Sequence, residues 1–142
     1  MILVDTSILG RIADENDPLY EVADIGLDWV LKNGSPAVAA QSIYEFWVMA
    51  TRPIAQNGLG FTPDRACAWI HDCLRTYHFL PEDPRIFDVW MSLVSRHATK
   101  GKPAHDARLV ACMKVHNIQS ILTFNTNDFT RYGVTVVDPR NL

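Results

Sequence analysis

The chain has 142 residues, of which 48% are hydrophobic and 20% are charged, so we expect a single domain over residues 1–142 with a substantial core. The net charge of −3 lacks the basic surplus of a strong nucleic-acid binder, although a local basic rim around an acidic site would still suffice to bind nucleic acid. No apolar stretch approaches the length of a membrane span, which argues against an integral membrane protein.

Strands and helices alternate along the chain. The strands are short apolar runs rich in branched residues, and the helices carry apolar residues at three- and four-residue spacing. The alternation predicts an α/β fold, a three-layer α/β/α sandwich with a central, mostly parallel sheet and the last strand at an edge. The predicted strands are 1–4, 37–39, 77–80, 118–123 and 134–137, and the predicted helices are 6–13, 18–33, 40–51, 63–75, 84–94 and 104–116.

Two further expectations concern these helices. Three of them have a start motif in which a capping residue precedes a proline, at Asp17-Pro18, Thr62-Pro63 and Asp83-Pro84. The helix over 40–51 is apolar around most of its circumference, which predicts that it is well buried.

Four acids lie where solvated charges are not expected. Asp5 ends the first buried strand, and Glu45 lies within the apolar third helix. Asp106 shares the apolar face of its helix, and Asp128 follows the fourth strand. Because parallel strands end at the same edge of a sheet, where ligands bind in open α/β sheets, we expect Asp5 and Asp128 to meet there.

Converging carboxylates with few basic partners repel each other and raise each other's pKa values. A divalent cation removes this conflict, and Mg²⁺ or Mn²⁺ prefers carboxylate oxygens as ligands. Such an ion activates water and stabilises charge on a phosphate, so the four acids predict a metal site suited to phosphodiester hydrolysis.

Each acid also has an ordinary structural explanation. Asp5 could cap the helix that follows it, and Glu45 could reach solvent along a partly exposed edge. Asp106 lies in the first turn of its helix, where the dipole favours an acid, and Asp128 could be an ordinary helix-start residue. For any single acid, the structural explanation is a reasonable alternative to a functional site. The occurrence of all four acids in these positions is what favours a site.

The motifs, in this order, resemble the PIN domain and, within it, the VapC-like toxins of bacterial and archaeal toxin–antitoxin pairs. The resemblance covers essentially the whole chain. It is carried by four segments, Val4-Asp5-Thr6-Ser7, Ser42-Ile43-Tyr44-Glu45, His105-Asp106-Ala107-Arg108-Leu109-Val110-Ala111 and Thr123-Phe124-Asn125-Thr126-Asn127-Asp128-Phe129.

This resemblance implies a PIN-like fold and a metal-dependent ribonuclease, with Asp5, Glu45 and Asp106 as ligands of Mg²⁺ or Mn²⁺. Many relatives have an acid two residues after the threonine of the last motif, where this chain has Asn125. Other relatives use the acid just before the phenylalanine. Asp128 is therefore our fourth acid, and Asn125 a polar helper.

The family also implies supporting groups and partners. Thr6, Ser7 and Thr123 are family-like hydroxyls that would hold the acids or a metal-bound water. The implied role is a toxin that blocks translation by cleaving RNA and is inhibited by a partner antitoxin. A homodimer is expected by analogy.

Other polar residues have weaker predictions. The five histidines lack zinc-ligand spacing, and His105 is expected in a structural or rim role. Phosphate contacts or plain surface positions explain five basic residues, Arg52, Lys100, Lys102, Arg108 and Arg131. The cysteines, Cys67, Cys73 and Cys112, lack motif spacing, and with no signal peptide evident they predict reduced core thiols in a cytoplasmic protein.

Two other functions stay open. An Asp that ends the first strand also occurs in aspartate-based phosphatases, but those need a second acid two residues later, where this chain has Ser7. The other alternative is a PIN-like module that binds RNA or protein without significant hydrolysis. The presence of Asp5, Glu45 and Asp106 argues against it.

Overall fold

The computed structural model describes residues 1–142, in five strands and six α-helices. The strands are β1 (Ile2–Val4), β2 (Pro36–Ala39), β3 (His78–Leu80), β4 (Ser120–Leu122) and β5 (Thr135–Val137). The helices are α1 (Thr6–Ile12), α2 (Tyr20–Asn33), α3 (Ala40–Thr51), α4 (Pro63–Thr76), α5 (Arg85–Arg96) and α6 (Pro103–Val115). Short 3-10 turns lie at Ile54–Gln56, Thr126–Asp128, Thr130–Tyr132 and Pro139–Asn141.

The five strands form one sheet in the order β3-β2-β1-β4-β5, and every neighbouring pair is parallel. Leu3 of β1 is in register with Ala37 of β2 on one side and with Ile121 of β4 on the other. The chain first builds the sheet outward from β1 to β3, then returns to build it outward through β4 and β5. The crevice between β1 and β4 is therefore the topological switch point, where ligands bind in this class of sheet.

Side chains that alternate along the strands feed two separate cores. Leu3 and Ile121 point into a core built with α5 and α6. Val4 and Leu122, the next residue in each strand, point into the opposite core, built with α1 to α4. Both faces of the sheet are thus covered, and the predicted three-layer α/β/α sandwich is confirmed, with β5 at an edge and the sheet entirely parallel.

The three predicted helix starts have different outcomes. Thr62 caps α4 as expected, because its hydroxyl accepts the N–H of Arg65 at 3.2 Å. The prediction for Asp17 is wrong, since α2 begins only at Tyr20 and Asp17 instead accepts the N–H of Leu19 at 2.8 Å. The other Asp17 oxygen pairs with Arg11 at 2.7 Å, so this acid ties the turn to α1. The proline at 18 therefore belongs to the turn.

At the third start, the helix begins one residue later than predicted. Asp83 accepts the N–H of Arg85 at 2.8 Å, and α5 begins at Arg85.

Helix α3 has the predicted bounds, but the prediction that it is well buried holds for only part of its circumference. Phe46 and Ala50 are fully buried, and Phe46 stacks on Trp69 of α4 with ring centroids 4.1 Å apart. Tyr44 and Val48, one turn apart on another face, are each 59% exposed. The reason is that α1 and α4 cover only two sides of α3, which leaves the Tyr44 side in solvent.

The cysteine prediction holds for two residues of three. Cys73 and Cys112 are buried free thiols, whereas Cys67 lies on the exposed face of α4 and is not part of the core. No helix combines the length and the apolar character that crossing a bilayer would need.

The two cores make a testable prediction about β4. Ile121→Ala and Leu122→Ala each remove a fully buried side chain, one from each core, so each should lower the free energy of unfolding by about 2–5 kcal/mol. Urea unfolding followed by circular dichroism measures both. Gln119→Ala, at an exposed position beside the strand, is the control and should change stability by less than about 0.5 kcal/mol. A small effect at either 121 or 122 would contradict a sheet covered on both faces.

Candidate functional site

The candidate site lies at the carboxyl edge of the sheet, at the switch point. Asp5 follows β1 directly, and Thr123 follows the neighbouring strand β4 directly. Because the two strands are paired and parallel, these residues meet although they are 118 positions apart in the chain. Helix α3 starts immediately after β2, the other neighbour of β1, and so carries Glu45 toward the same edge.

Asp5 is a buried carboxylate held by two hydroxyls. It is 5% exposed, and its Oδ2 accepts hydrogen bonds from Thr123 and from Ser7, each at 2.7 Å. Burial raises the pKa of Asp5, and the Thr123 and Ser7 hydrogen bonds oppose that rise. Asp5 occupies the position before α1 but its side chain caps no helical N–H, so the capping explanation does not hold. Both hydroxyls bond Oδ2, which leaves Oδ1 as the oxygen free of hydroxyl donors.

The loop after β4 orients these two hydroxyls. The Ser7 oxygen accepts the N–H of Phe124 at 3.2 Å, and the Thr123 oxygen accepts the N–H of Asn125 at 3.0 Å. Each hydroxyl oxygen is thereby used as an acceptor toward the loop, and its proton is directed to Asp5. Asn125 thus contributes its backbone N–H to this arrangement, and the residue is exposed to solvent.

Glu45 is exposed, as its ordinary explanation allowed, yet its carboxylate is held at both oxygens. Thr6 donates its hydroxyl to Oε2 at 2.8 Å, and Gln41 donates Nε2 to Oε1 at 2.9 Å. Gln41, which is 8% exposed, was missed in the sequence. Its position one helical turn before Glu45 was the available indication, since glutamine and acid side chains four apart hydrogen-bond on a helix.

Asp106 and Asp128 complete the set. Asp106 lies half-buried in the first turn of α6, and its pKa is raised to about 6. The largest cause is burial, followed by the negative charges of Asp128, Asp5 and Glu45, while His105 opposes the shift. Asp128 lies in the 3-10 turn Thr126–Asp128 and is the first of the three acids acting on Asp106. The field at Asp106 therefore comes from all the other predicted acids.

No cation compensates this cluster. The chain has five ion pairs, and none of them includes Asp5, Glu45, Asp106 or Asp128. No three of the His, Cys, Asp and Glu side chains stand close enough to form a ready-made ligand set. Two properties of the four acids fit a divalent cation: they offer carboxylate oxygens as donors, and their negative charges have no ion-pair partner. Their side chains do not converge on one point.

The basic residues around the site are arranged differently from expectation. Arg108 is not free for phosphate, because it donates to Gln41 at 2.9 Å and to both oxygens of Glu82 at 2.7 Å. Lys100 and Lys102 are exposed just before α6. Two arginines not singled out in the sequence, Arg11 and Arg140, flank the Phe124 ring at 6.0 and 5.8 Å.

The remaining predicted residues have minor positions. Arg52 donates to the backbone of Asn57, and Arg131 lies over the Tyr132 ring at 5.0 Å. His105 is exposed and lines a cavity of about 470 Å³ beside α5 that contains none of the four acids, and its structural or rim role stays a prediction.

Comparison with solved structures identifies the fold. FitAcB from Neisseria gonorrhoeae superposes with a TM-score of 0.71 at 19% identity over 100% of both chains. VapC20 of Mycobacterium tuberculosis, a sarcin-ricin loop cleaving toxin, matches with a TM-score of 0.69 at 18% identity over 98% of this chain and 100% of that one. The chain has the fold of the VapC and FitB toxins. The predicted PIN-like, VapC-like architecture is confirmed.

A third structure, VapBC-1 from nontypeable Haemophilus influenzae, shares this VapC-like fold at 15% identity, with 99% of each chain covered and a TM-score of 0.68. No family model matches the sequence, and no curated protein matches it. The likeness is therefore one of fold.

The raised pKa of Asp106 makes a prediction about stability. A carboxyl whose pKa is about 6 in the folded state and 3.8 in the unfolded chain destabilises the fold fully above about pH 6 and not at all below about pH 3.8. Asp106→Asn should therefore stabilise the metal-free protein at pH 7.5, by about 1 kcal/mol after allowance for solvent screening at a half-exposed group. This gain should shrink between pH 6 and pH 4.

Urea unfolding in EDTA across this pH range measures the effect. The control is Asp28→Asn, an exposed acid of α2 outside the cluster, which should show no such trend. Equal stability of Asp106→Asn and the parent at pH 7.5 would contradict the raised pKa of Asp106.

Proposed function

We propose that this protein is a Mg²⁺- or Mn²⁺-dependent endoribonuclease that hydrolyses RNA phosphodiester bonds. The observation that carries the proposal is the uncompensated cluster of Asp5, Glu45, Asp106 and Asp128 at the switch point of a VapC-like fold. The four charges repel each other in the metal-free chain, so a bound cation relieves a conflict that the fold itself creates.

The residues take the following roles in this proposal. Asp5, Glu45, Asp106 and Asp128 hold the cation through carboxylate oxygens, with Oδ1 the available oxygen of Asp5. When bound, the cation supplies the Lewis acidity that phosphodiester hydrolysis by water needs. Thr123 and Ser7 keep Asp5 in one orientation, and Thr6 does the same for Glu45.

The chain also offers groups that would hold an RNA strand. Arg11 lies with Ser7 along a cleft of about 520 Å³, but Arg11 is ion-paired with Asp17 and Arg140 with Asp138. Lys100 and Lys102 precede the helix that carries Asp106. The two lysines, which form no ion pair, would contact phosphates near Asp106, which reconciles RNA binding with a net charge of −3.

We extend the proposal to a cytoplasmic toxin that inhibits translation and is controlled by an antitoxin. Similar structures were solved as a toxin–antitoxin complex from Klebsiella pneumoniae, at 20% identity, and as VapBC2 from Rickettsia felis with a promoter DNA fragment. Exposed apolar stripes on α3 (Tyr44, Val48) and α5 (Phe87, Met91) would suit protein partners, an antitoxin and a second copy in a homodimer.

The activity is tested with purified protein and a structured RNA in Mg²⁺ or Mn²⁺. Asp5→Asn and Asp106→Asn each remove one carboxylate and should lower the cleavage rate at least about 100-fold, and EDTA should abolish cleavage. Gel analysis of labelled RNA measures the rate. The matched control Asp28→Asn makes the same chemical change on the exposed face of α2 and should retain the parent rate.

Two outcomes would contradict the proposal. If both site variants cleave as fast as the parent, the cluster is not the active site. If the parent binds RNA but cleaves none in either metal, the alternative of a PIN-like binding module is favoured.

The toxin role is tested in cells. Expression of the parent alone should arrest growth, whereas Asp5→Ala, made at the same level on an immunoblot, should not. If a small protein is encoded beside the gene, its co-expression should restore growth of the parent strain. Growth unaffected by the parent at a verified expression level would contradict a toxin.

A further inference from the structure

Gln41 lies between the helices that carry two of the four acids. It belongs to the first turn of α3 and is 8% exposed, so its amide needs partners within the protein. Its Nε2 donates to Glu45 Oε1 at 2.9 Å and also to the His105 carbonyl in the first turn of α6 at 2.9 Å. One amide nitrogen thus joins the carboxylate of Glu45 to the backbone next to Asp106.

The amide oxygen of Gln41 faces a cation, whereas the amide nitrogen faces two oxygen acceptors. Arg108 donates Nη1 to it at 2.9 Å, and the other end of the same guanidinium is held by both oxygens of Glu82 at 2.7 Å. The carboxylate of Glu82 pairs the charge of Arg108, and none of the four acids forms an ion pair with this arginine. No pair between Arg108 and Glu45 forms.

These contacts allow only one orientation of the amide. Both N–H groups of Nε2 are used, and the oxygen faces a cation. A flipped amide would set its oxygen against the Glu45 carboxylate and the His105 carbonyl, and its N–H groups against the guanidinium, so that three repulsive contacts would replace three attractive ones. The directions of these three hydrogen bonds therefore fix the orientation of the amide. The fixed amide nitrogen in turn holds the Glu45 carboxylate in one place.

We propose that Gln41 is a positioning residue that fixes the carboxylate of Glu45 relative to the first turn of α6, with Arg108 and Glu82 orienting its amide. This inference rests on the proposed metal-binding role of the acids. Gln41 touches no substrate in this scheme and acts through Glu45. Its effect is on cation affinity, because a ligand held in place loses less freedom when the cation binds.

The test is Gln41→Met, which keeps the length of the side chain and removes all three hydrogen bonds. Mn²⁺ binding to the intact protein, measured by calorimetry and by electron paramagnetic resonance, should weaken about tenfold. The Mn²⁺ concentration for half-maximal RNA cleavage should rise by a similar factor, while the rate at saturating Mn²⁺ approaches that of the parent. Gln56→Met, at an exposed position in the 3-10 turn after α3, is the matched control and should bind Mn²⁺ as the parent does.

The outcomes separate the two proposals. If Gln41→Met binds Mn²⁺ with the parent's affinity while Asp5→Asn does not, the role of Gln41 is overturned and the metal site stands. If the parent binds no Mn²⁺, both are overturned. If circular dichroism shows that Gln41→Met does not fold, Arg108→Lys is tested instead. Lysine lacks the guanidinium group that bonds both the Gln41 amide oxygen and Glu82. That variant should weaken Mn²⁺ binding about threefold, and unchanged binding would overturn the inference.

Discussion

Mutual repulsion among four carboxylates is the constraint on which the rest of this structure depends. The effect is clearest in the pKa of Asp106, which is raised by burial and by the charges of Asp128, Asp5 and Glu45. A surface cluster of this kind would relax into solvent. Here Asp5 is buried and bonded by two hydroxyls, and Glu45 is bonded at both oxygens, so the charges stay near one another.

The fold holds this unfavourable arrangement through ordinary packing. Strands of three or four residues form the sheet, and residues that alternate along them fill two separate cores. Burial of apolar side chains in those two cores offsets the destabilising cluster at the sheet edge. Parallel pairing of β1 with β4 then places Thr123 against Asp5, and no local feature of either segment would do so.

The cations of the chain are arranged so that they do not neutralise the acids. Arg108, although it is only two residues from Asp106, is committed to Glu82 and Gln41. Arg11 and Arg140 are paired with Asp17 and Asp138. The same geometry bears on the phosphatase alternative, because Ser7, which stands where such an enzyme needs an acid, donates its hydroxyl to Asp5 and supports it.

Much of this molecule was predictable from the sequence because its signals are local. Alternating apolar strands and amphipathic helices predicted the sandwich, helix α3 had the expected bounds, and Thr62 capped α4. The motif order predicted the VapC-like architecture, in a chain that no family model matches. The acids could be named as candidates because a carboxylate next to a buried strand or on an apolar helix face is costly unless it has a partner.

What only the tertiary structure decided depends on distant residues. The exposure of Tyr44, the pairing of Asp17 with Arg11 and the surface position of Cys67 each depend on which helix packs beside which. The only sequence indication for Gln41 was its position four residues before Glu45, because its other partners, at 105 and 108, lie more than sixty positions away. Sequence determined the elements and the candidate acids, since propensity and apolar period act within a few residues. The structure decided which carboxylates are held, and by which donors, because hydrogen bonds and charges act through space.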